Sequence, residues 1–354
     1  MKILDRYLIK QISIGIVIAS LVLMPLFSFL DLVDQLEDVG TGFYKTSDAF
    51  LYVLLTIPRR FIELAPFIAL LGNVTALGRL AINLELISLR SAGFSPARIG
   101  MASMKVGMAL LVLIAALELL VAPPLHQQAI AHRSAALDQS TELGMNLGVW
   151  TRNDRQILRI GNLRHDTRAA NVEIFNLDNN NSLSEYIFAE GFDIVSDQEW
   201  TLHNVIRKSF VDDKIVLSNT DSMAWTTFLD PGQISTLTKP QESLSPVELF
   251  QYIKYLRDTG QEADVYAVSL WKKPGGTLTM LGMLLLSVPF VFGSVRTGFA
   301  NRLVLAGITG IVVYLLDQIF SNTGLILGLN PSFVALTPGI VLIWLARVWL
   351  VRVN

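Results

Sequence analysis

Cysteine is absent from all 354 residues, so disulfides, thiolate metal sites and a cysteine nucleophile are excluded. Charge is also scarce: 16% of residues are charged against 52% hydrophobic, which places the chain in the membrane class. Histidine occurs only at positions 126, 132, 165 and 203, with no metal-ligand spacing. No Gly-x-Ser-x-Gly elbow exists, and His132 with Asp138 is too small a set for an acyltransferase site. The stretch Gly72–Gly78-Arg79 has the wrong spacing for a phosphate loop, and Arg replaces Lys-Ser/Thr. ATP binding by this stretch is rejected, so energy for any transport has to come from another subunit or an ion gradient.

Long apolar runs dominate instead. About 18 uncharged apolar residues suffice to cross the hydrocarbon core as a helix. Ile12–Leu30 and Thr277–Val295 do so without a charge, and Pro331–Ala346 extends naturally to Val351. Three further spans are interrupted: Ala49–Leu77 by Arg59, Arg60 and Glu63, Val106–Ala122 by Glu118, and Leu303–Leu329 by Asp317. The six spans fall into two sets of three, separated by 148 mostly polar residues from Pro123 to Leu270. The first run is too long for a signal peptide and lacks a small-residue cleavage site, so it reads as a retained helix.

Loop charge orients these spans, because short cytoplasmic loops keep an excess of Lys and Arg. Lys2, Arg6 and Lys10 precede span one; Arg79, Arg90, Arg98 and Lys105 lie between spans two and three. Arg296 and Arg302 separate spans four and five, and Arg347 and Arg352 end the chain. Asp31, Asp34, Glu37, Asp38 and Asp48 crowd the first loop. Both termini are therefore expected in the cytoplasm and the large insertion on the opposite side. That insertion holds 12 basic and 20 acidic residues, which argues against nucleic acid as a partner.

The insertion reads as all-β. Gln156–Ile160, Val172–Leu177, Glu185–Ala189, Thr201–Val205 and Lys214–Leu217 have strand character. Asn153-Asp154, Asp178–Ser182, Ser196–Glu199 and Asp212-Asp213 supply turns between them. A sandwich or jelly roll is the expected arrangement. After Pro240 the period changes: Ser245-Pro246-Val247-Glu248 is a capping box, and Leu249, Ile253 and Leu256 share one helical face, flanked by Phe250 and Tyr252. Gly260 ends this helix, and a second one leads through Trp271 into span four.

Three charged features invite a functional reading beside a bland one. Arg79–Ser95 reads as a short amphipathic helix with Leu80, Leu84, Leu86 and Ile87 on its apolar side. Such a helix lies on the bilayer surface or docks into a cytoplasmic partner. Glu85 favours docking, since an acid gains little from anionic lipid. Arg59 and Arg60 either snorkel, with Glu63 neutralising one, or form a basic wall for an anionic ligand. Guanidinium pairs well with phosphate. Lys272 and Lys273, at the outer mouth of span four, either snorkel or meet an anionic head group. Asp317 and Glu118 fit interhelical pairing better than a proton relay, because no histidine lies within the spans.

These residues resemble the lipopolysaccharide-export permease family of the LptF/LptG type. The resemblance runs through Leu4-Asp5-Arg6-Tyr7, Val33-Asp34-Gln35-Leu36, Glu85-Leu86 through Ala92-Gly93-Phe94, and Val121-Ala122-Pro123. It continues through Tyr252–Gln261 and Tyr314–Phe320, nearly end to end. It implies an α-helical membrane protein of six transmembrane helices with an all-β, jelly-roll-like periplasmic domain between helices three and four. The implied division is residues 1–122 with a coupling helix at about 80–92, then 123–270, then 271–354.

The resemblance also implies a Gram-negative inner membrane location and an LptF-like permease as heterodimeric partner. A homodimeric cytoplasmic ATPase (LptB) docks on the coupling helix, through Glu85, Leu84, Leu86 and Arg90. An LptC-like single-span protein and a periplasmic LptA bridge complete the implied assembly. This chain itself binds no cofactor; ATP and Mg serve the ATPase. The substrate is lipopolysaccharide, entering sideways between spans one, two and five. Its phosphate contacts carry over onto Arg59 and Arg133; Arg60 and Lys45 are added by charge and position, and Lys272 and Lys273 by their place at the mouth. Relatives carry lysines where this chain has Asp31, Glu37 and Asp38, which would repel phosphates unless cations bridge them.

The alternatives are a lipoprotein-releasing-type ABC permease, an integral membrane lipid-modifying enzyme, and a passive scaffold. The first usually places its outer domain after span one. The second needs a convergent acid, base or metal set. A scaffold would leave the coupling helix without a partner.

Overall fold

The computed structural model describes residues 2–138, 149–161, 171–180, 182–196, 199–211, 214–228, 241–292 and 298–353. The chain divides into two compact units, Met1–Ser140 with Asp264–Asn354, and Thr141–Ala263.

The first unit is helical. Its long elements are α1 (Lys2–Leu36), α2 (Thr46–Ile82), α4 (Pro96–Ala116), α7 (Asp264–Phe292), α8 (Phe299–Ile326) and α9 (Pro331–Val353). Short α3 (Glu85–Ser91) joins α2 to α4, and α5 (Ala122–Asp138) follows α4. Among the described residues, six helices are long and apolar enough to cross a membrane. With 35 residues, α1 spans about 52 Å at 1.5 Å per residue, well beyond a hydrocarbon core of about 30 Å. Its polar end, with Asp31 and Asp34, therefore has room to project past the apolar layer.

The third membrane helix does not stop at Ala122. A π-helical turn at Leu117–Val121 carries it into α5, giving 42 continuous residues from Pro96 to Leu137. Pro123 and Pro124 lack N–H donors, and the looser turn just before them absorbs the mismatch. Consequently His126 and Arg133 sit on a helix that extends the span, two turns apart and on one face.

Packing uses small residues where backbones meet. A Cβ on Gly72 of α2 would lie 2.6 Å from Ile16 Cα of α1, so only glycine allows this crossing. The bundle core gathers Leu8, Ile12, Ile68, Leu77, Ile99 and Met280, all fully buried. At its centre the Asn73 amide donates to Ser103 Oγ of α4 at 3.0 Å, and it reaches Ser287 Oγ (2.6 Å) and the Leu284 carbonyl (3.0 Å) of α7. This polar junction ties three spans together inside the bundle.

Among the described residues, the second unit forms an antiparallel sheet of six strands in sequence order: β1 (Val149–Asn153), β2 (Gln156–Ile160), β3 (Val172–Leu177), β4 (Leu183–Ile194), β5 (Glu199–Val211) and β6 (Lys214–Thr226). The all-β expectation holds, and the described strands form one open meander in which each pairs with its chain neighbour. β2 and β3 have the expected bounds; β4, β5 and β6 run longer, and β1 is additional. Alternation drives the fold: Leu158, Ile160, Val172, Ile174, Ile187 and Ala189 all face inward.

The expected turns at Asn153-Asp154 and Asp178–Ser182 fit this sheet. Asp154 takes a positive φ of 48° between β1 and β2, and Asp178 Oδ1 accepts from the backbone N–H of Asn180 and Ser182. The Asp212-Asp213 turn lies outside the described residues. Trp200 stacks on Phe192 with centroids 4.5 Å apart and meets Trp225 edge-on.

Helix α6 (Pro246–Asp258) opens with the expected reciprocal cap: Ser245 N–H donates to Glu248 Oε2 and Glu248 N–H to Ser245 Oγ. Leu249, Ile253 and Leu256 are buried as their spacing requires. Tyr252 is buried with them, whereas Phe250 points outward. Gly260, with φ of 69°, follows the end of the helix.

Candidate functional site

Charged side chains gather where α1 ends, α2 passes and α5 begins. Arg60 of α2 grips Asp31 of α1 with two nitrogens, Nε lying 2.7 Å from Oδ2 and Nη2 facing Oδ1. Its third nitrogen donates to Glu63 Oε2 at 2.9 Å. Glu63 also accepts from Arg59 Nε at 2.8 Å, and Arg59 Nη1 lies 3.0 Å from the His126 ring of α5. Two turns further along α5, Arg133 donates to Asp38 at 2.5 Å. The result is a ladder of two rungs, with three guanidiniums facing three carboxylates.

The chemistry of the ladder follows from its geometry. Glu63 is shared by both arginines, so each is partly neutralised at i+3 or i+4 along the same helix. All three arginines remain partly open, with side-chain exposures of 23%, 31% and 38% for Arg59, Arg60 and Arg133. A phosphate oxygen can therefore reach them, and at Arg60 it would meet the paired geometry that Asp31 now occupies. Below Asp38, Tyr44 is buried and donates its hydroxyl to Gln35 at 3.1 Å. Burial raises its pKa, so the phenol stays neutral at ordinary pH. Lys45 lies exposed at the start of α2, where its backbone N–H donates to Asp48.

Lys272 and Lys273 belong to a different cluster. Lys273 pairs with Glu118 in the π-helical turn, and Lys272 Nζ lies 3.5 Å from Gln318 Oε1 of α8. The two lysines thus link α7 to the π-helical turn that follows α4 and to α8.

The segment between α2 and α4 is not one continuous helix. α2 ends at Ile82, and Leu84 takes a left-handed φ of 60° before α3 begins. The break turns the apolar residues two ways: Leu80, Leu86 and Leu89 pack into the bundle core, while Leu84 and Ile87 are 62% and 59% exposed. Glu85, at the start of α3, accepts a 2.7 Å hydrogen bond from Tyr7 of α1. Arg90 lies over the Phe292 ring at 5.3 Å, so α3 touches the end of α7. Gly93, with φ of 84°, and the Ser95 cap then start α4.

Sequence reasoning missed several of these partners. Asp31 and Asp38 read as a repulsive patch, yet each holds an arginine. His126 and the Asn73 junction carried no motif, and Tyr7 belongs to one that gave no sign of its bond to Glu85; a lone Asn in an apolar span is the one available signal for the Asn73 junction. No group of His, Asp or Glu that could hold a metal occurs among the described residues.

The architecture defines a class: a multi-pass helical membrane protein with a β domain inserted between its third and fourth spans. Residues 6–352 match the family described as lipopolysaccharide export system permease LptF/LptG, and the chain belongs to that family. It is 32% identical over 346 residues to lipopolysaccharide export system permease protein LptG of Haemophilus influenzae, covering 96% of this chain and 97% of the relative. It is 31% identical over 339 residues to the protein of that name from Escherichia coli K12, covering 95% and 94%.

Proposed function

We propose that this chain is a transmembrane permease subunit of an ABC transporter in the inner membrane of a Gram-negative bacterium. The subunit extracts lipopolysaccharide from that membrane and hands it to a periplasmic bridge of the LptA kind. Its β domain is periplasmic and both termini are cytoplasmic. An LptF-like permease pairs with it, a single-span LptC-like protein accompanies the pair, and an LptB-like ATPase dimer uses ATP and Mg below. The chain itself carries out no chemical step.

The observation that carries this reading is the arginine ladder between α1, α2 and α5, set beside an unequally covered bundle. Spans one and five are the least enclosed, with 11% of their apolar windows buried against 61% and 72% for spans two and four. Outward faces of this kind suit a second permease and a lipid between the two. Arg59, Arg60 and Arg133 then meet lipid A phosphates, with Lys45 at the rim; Lys272 and Lys273 face the same headgroup layer. On the other side, Glu85, Leu84 and Arg90 present the coupling segment to the ATPase, and buried Leu86 anchors it to the bundle.

Motion follows from these contacts. α3 is tied to α1 through Tyr7–Glu85 and to α7 through Arg90–Phe292, so a push on α3 reaches spans one and four directly. Closure of the ATPases is thereby turned into narrowing of the lipid cavity. Purification from membranes tests the assignment: a nucleotide-hydrolysing subunit should come down with the chain, and its loss in a Glu85→Ala variant should leave membrane insertion intact. Unchanged co-purification and transport in that variant would remove α3 from the coupling role.

A further inference from the structure

We infer that Asp31 is a built-in competitor for the headgroup phosphate: its carboxylate occupies the anion position on Arg60, and ligand has to displace it. This rests on the reading of the arginine ladder as the lipopolysaccharide site. The geometry is specific to Asp31. Among the acids at the end of α1, it alone contacts Arg60, through both oxygens. A carboxylate gripped by two guanidinium nitrogens presents the same pair of acceptor oxygens as a phosphate. Both cannot use those nitrogens together.

The pair also joins two spans, since Asp31 belongs to α1 and Arg60 to α2. Displacing Asp31 therefore frees the end of span one from span two, and ligand capture is coupled to a loosening of that seam. The released acid is not stranded in lipid: its side chain is 19% exposed and sits near the end of a helix longer than the apolar layer. Arg60 is not left bare when Asp31 moves, because Glu63 still accepts from its third nitrogen. The site consequently has two states, a closed one neutralised from within and an open one neutralised by the ligand. Apparent affinity is the intrinsic affinity reduced by the fraction of molecules in which Arg60 is free.

The test uses the full-length chain purified with its accompanying subunits, titrated with lipopolysaccharide and with its dephosphorylated form. Asp31→Asn should bind lipopolysaccharide about fivefold more tightly than wild type, the gain expected when a partly exposed ion pair no longer competes. Asp34→Asn removes the same charge one turn away without touching Arg60 and should bind as wild type does. Asp31→Glu keeps the carboxylate and should restore wild-type affinity. Dephosphorylated ligand should show no gain with Asp31→Asn.

Equal or weaker binding by Asp31→Asn, while Arg60→Gln still lowers affinity, overturns the competition and leaves the site assignment standing. An equal gain from Asp34→Asn, or a gain with dephosphorylated ligand, also overturns it, because the effect is then general charge. If wild type and Arg60→Gln bind lipopolysaccharide alike, the site assignment itself fails. Equal melting temperatures of the variants confirm that binding, not folding, is compared.

Discussion

Single residues decide how much of this chain's charge is available to a ligand. Arg59, Arg60 and Arg133 are each held by a carboxylate or a ring nitrogen within hydrogen-bond reach, so none is a bare cation waiting in an apolar layer. Asn73 plays the opposite part, spending its amide on two neighbouring spans at once. Interhelical hydrogen bonds in membranes average about 0.6 and reach about 1.7 kcal/mol each, so Asn73→Ala should destabilise the bundle by about 1–3 kcal/mol. Thermal unfolding in detergent measures this, and an unchanged melting temperature would show that the junction is idle.

In the β unit, Tyr255 is buried and shares a 2.7 Å hydrogen bond with Thr151 Oγ1. Burial raises its pKa above the usual 10, and the bonds to Thr151 and Gln261 oppose that rise less strongly. The native state thus holds the phenolic proton longer than the unfolded chain. This stabilisation is complete below the unfolded pKa of about 10 and is lost as pH climbs through the folded value. Tyr255→Phe should lose less stability than wild type across that alkaline window, read by the fluorescence of Trp200 and Trp225 during denaturation.

At the scale of elements, close helix crossings and helix ends govern the bundle. Gly72 allows α2 to touch α1 backbone to backbone. Gly72→Val would drive a branched side chain into Ile16 and separate the two helices that carry Arg60 and Asp31. Overpacking of this kind costs about 1–3 kcal/mol. A drop in folded yield that Ile16→Ala does not recover, because the clash is with the Ile16 backbone, is the expected outcome; wild-type yield would contradict the crossing.

Elements were also the most legible part of the sequence. The capping box at Ser245, the strands at 156–160 and 172–177, and the apolar face of α6 all depend on neighbours a few residues apart. The extra reach of α5 past Pro123 was not legible, because proline ordinarily marks a stop and only the preceding π-helical turn accommodates it. The break at Leu84 was hidden too, since a leucine gives no sign of a left-handed backbone. Beyond the Glu63 pairing, which the i+4 spacing showed, the ladder escaped for a third reason: Asp31 and Arg60 lie 29 positions apart, and Arg59 and His126 67 apart. Charge pattern alone showed acids facing an anion site, whereas folding pairs Asp31 and Asp38 with arginines.

For the whole molecule, two sets of three spans flank one β unit, and chemistry is concentrated at the two ends of the bundle. One end offers arginines already matched by acids; the other offers a short helix wired to α1 and α7. That distribution suits a subunit that receives force at one face and handles an anionic lipid at the other. The central claim is that the ladder receives lipopolysaccharide. Crosslinking of lipopolysaccharide to wild-type and Arg59→Glu complexes, matched for assembled subunits, tests it most directly. Reversing this charge also repels Glu63, so crosslinking should fall severalfold while assembly with the ATPase persists. Equal crosslinking in the two complexes would contradict the claim and leave the arginines as interfacial anchors.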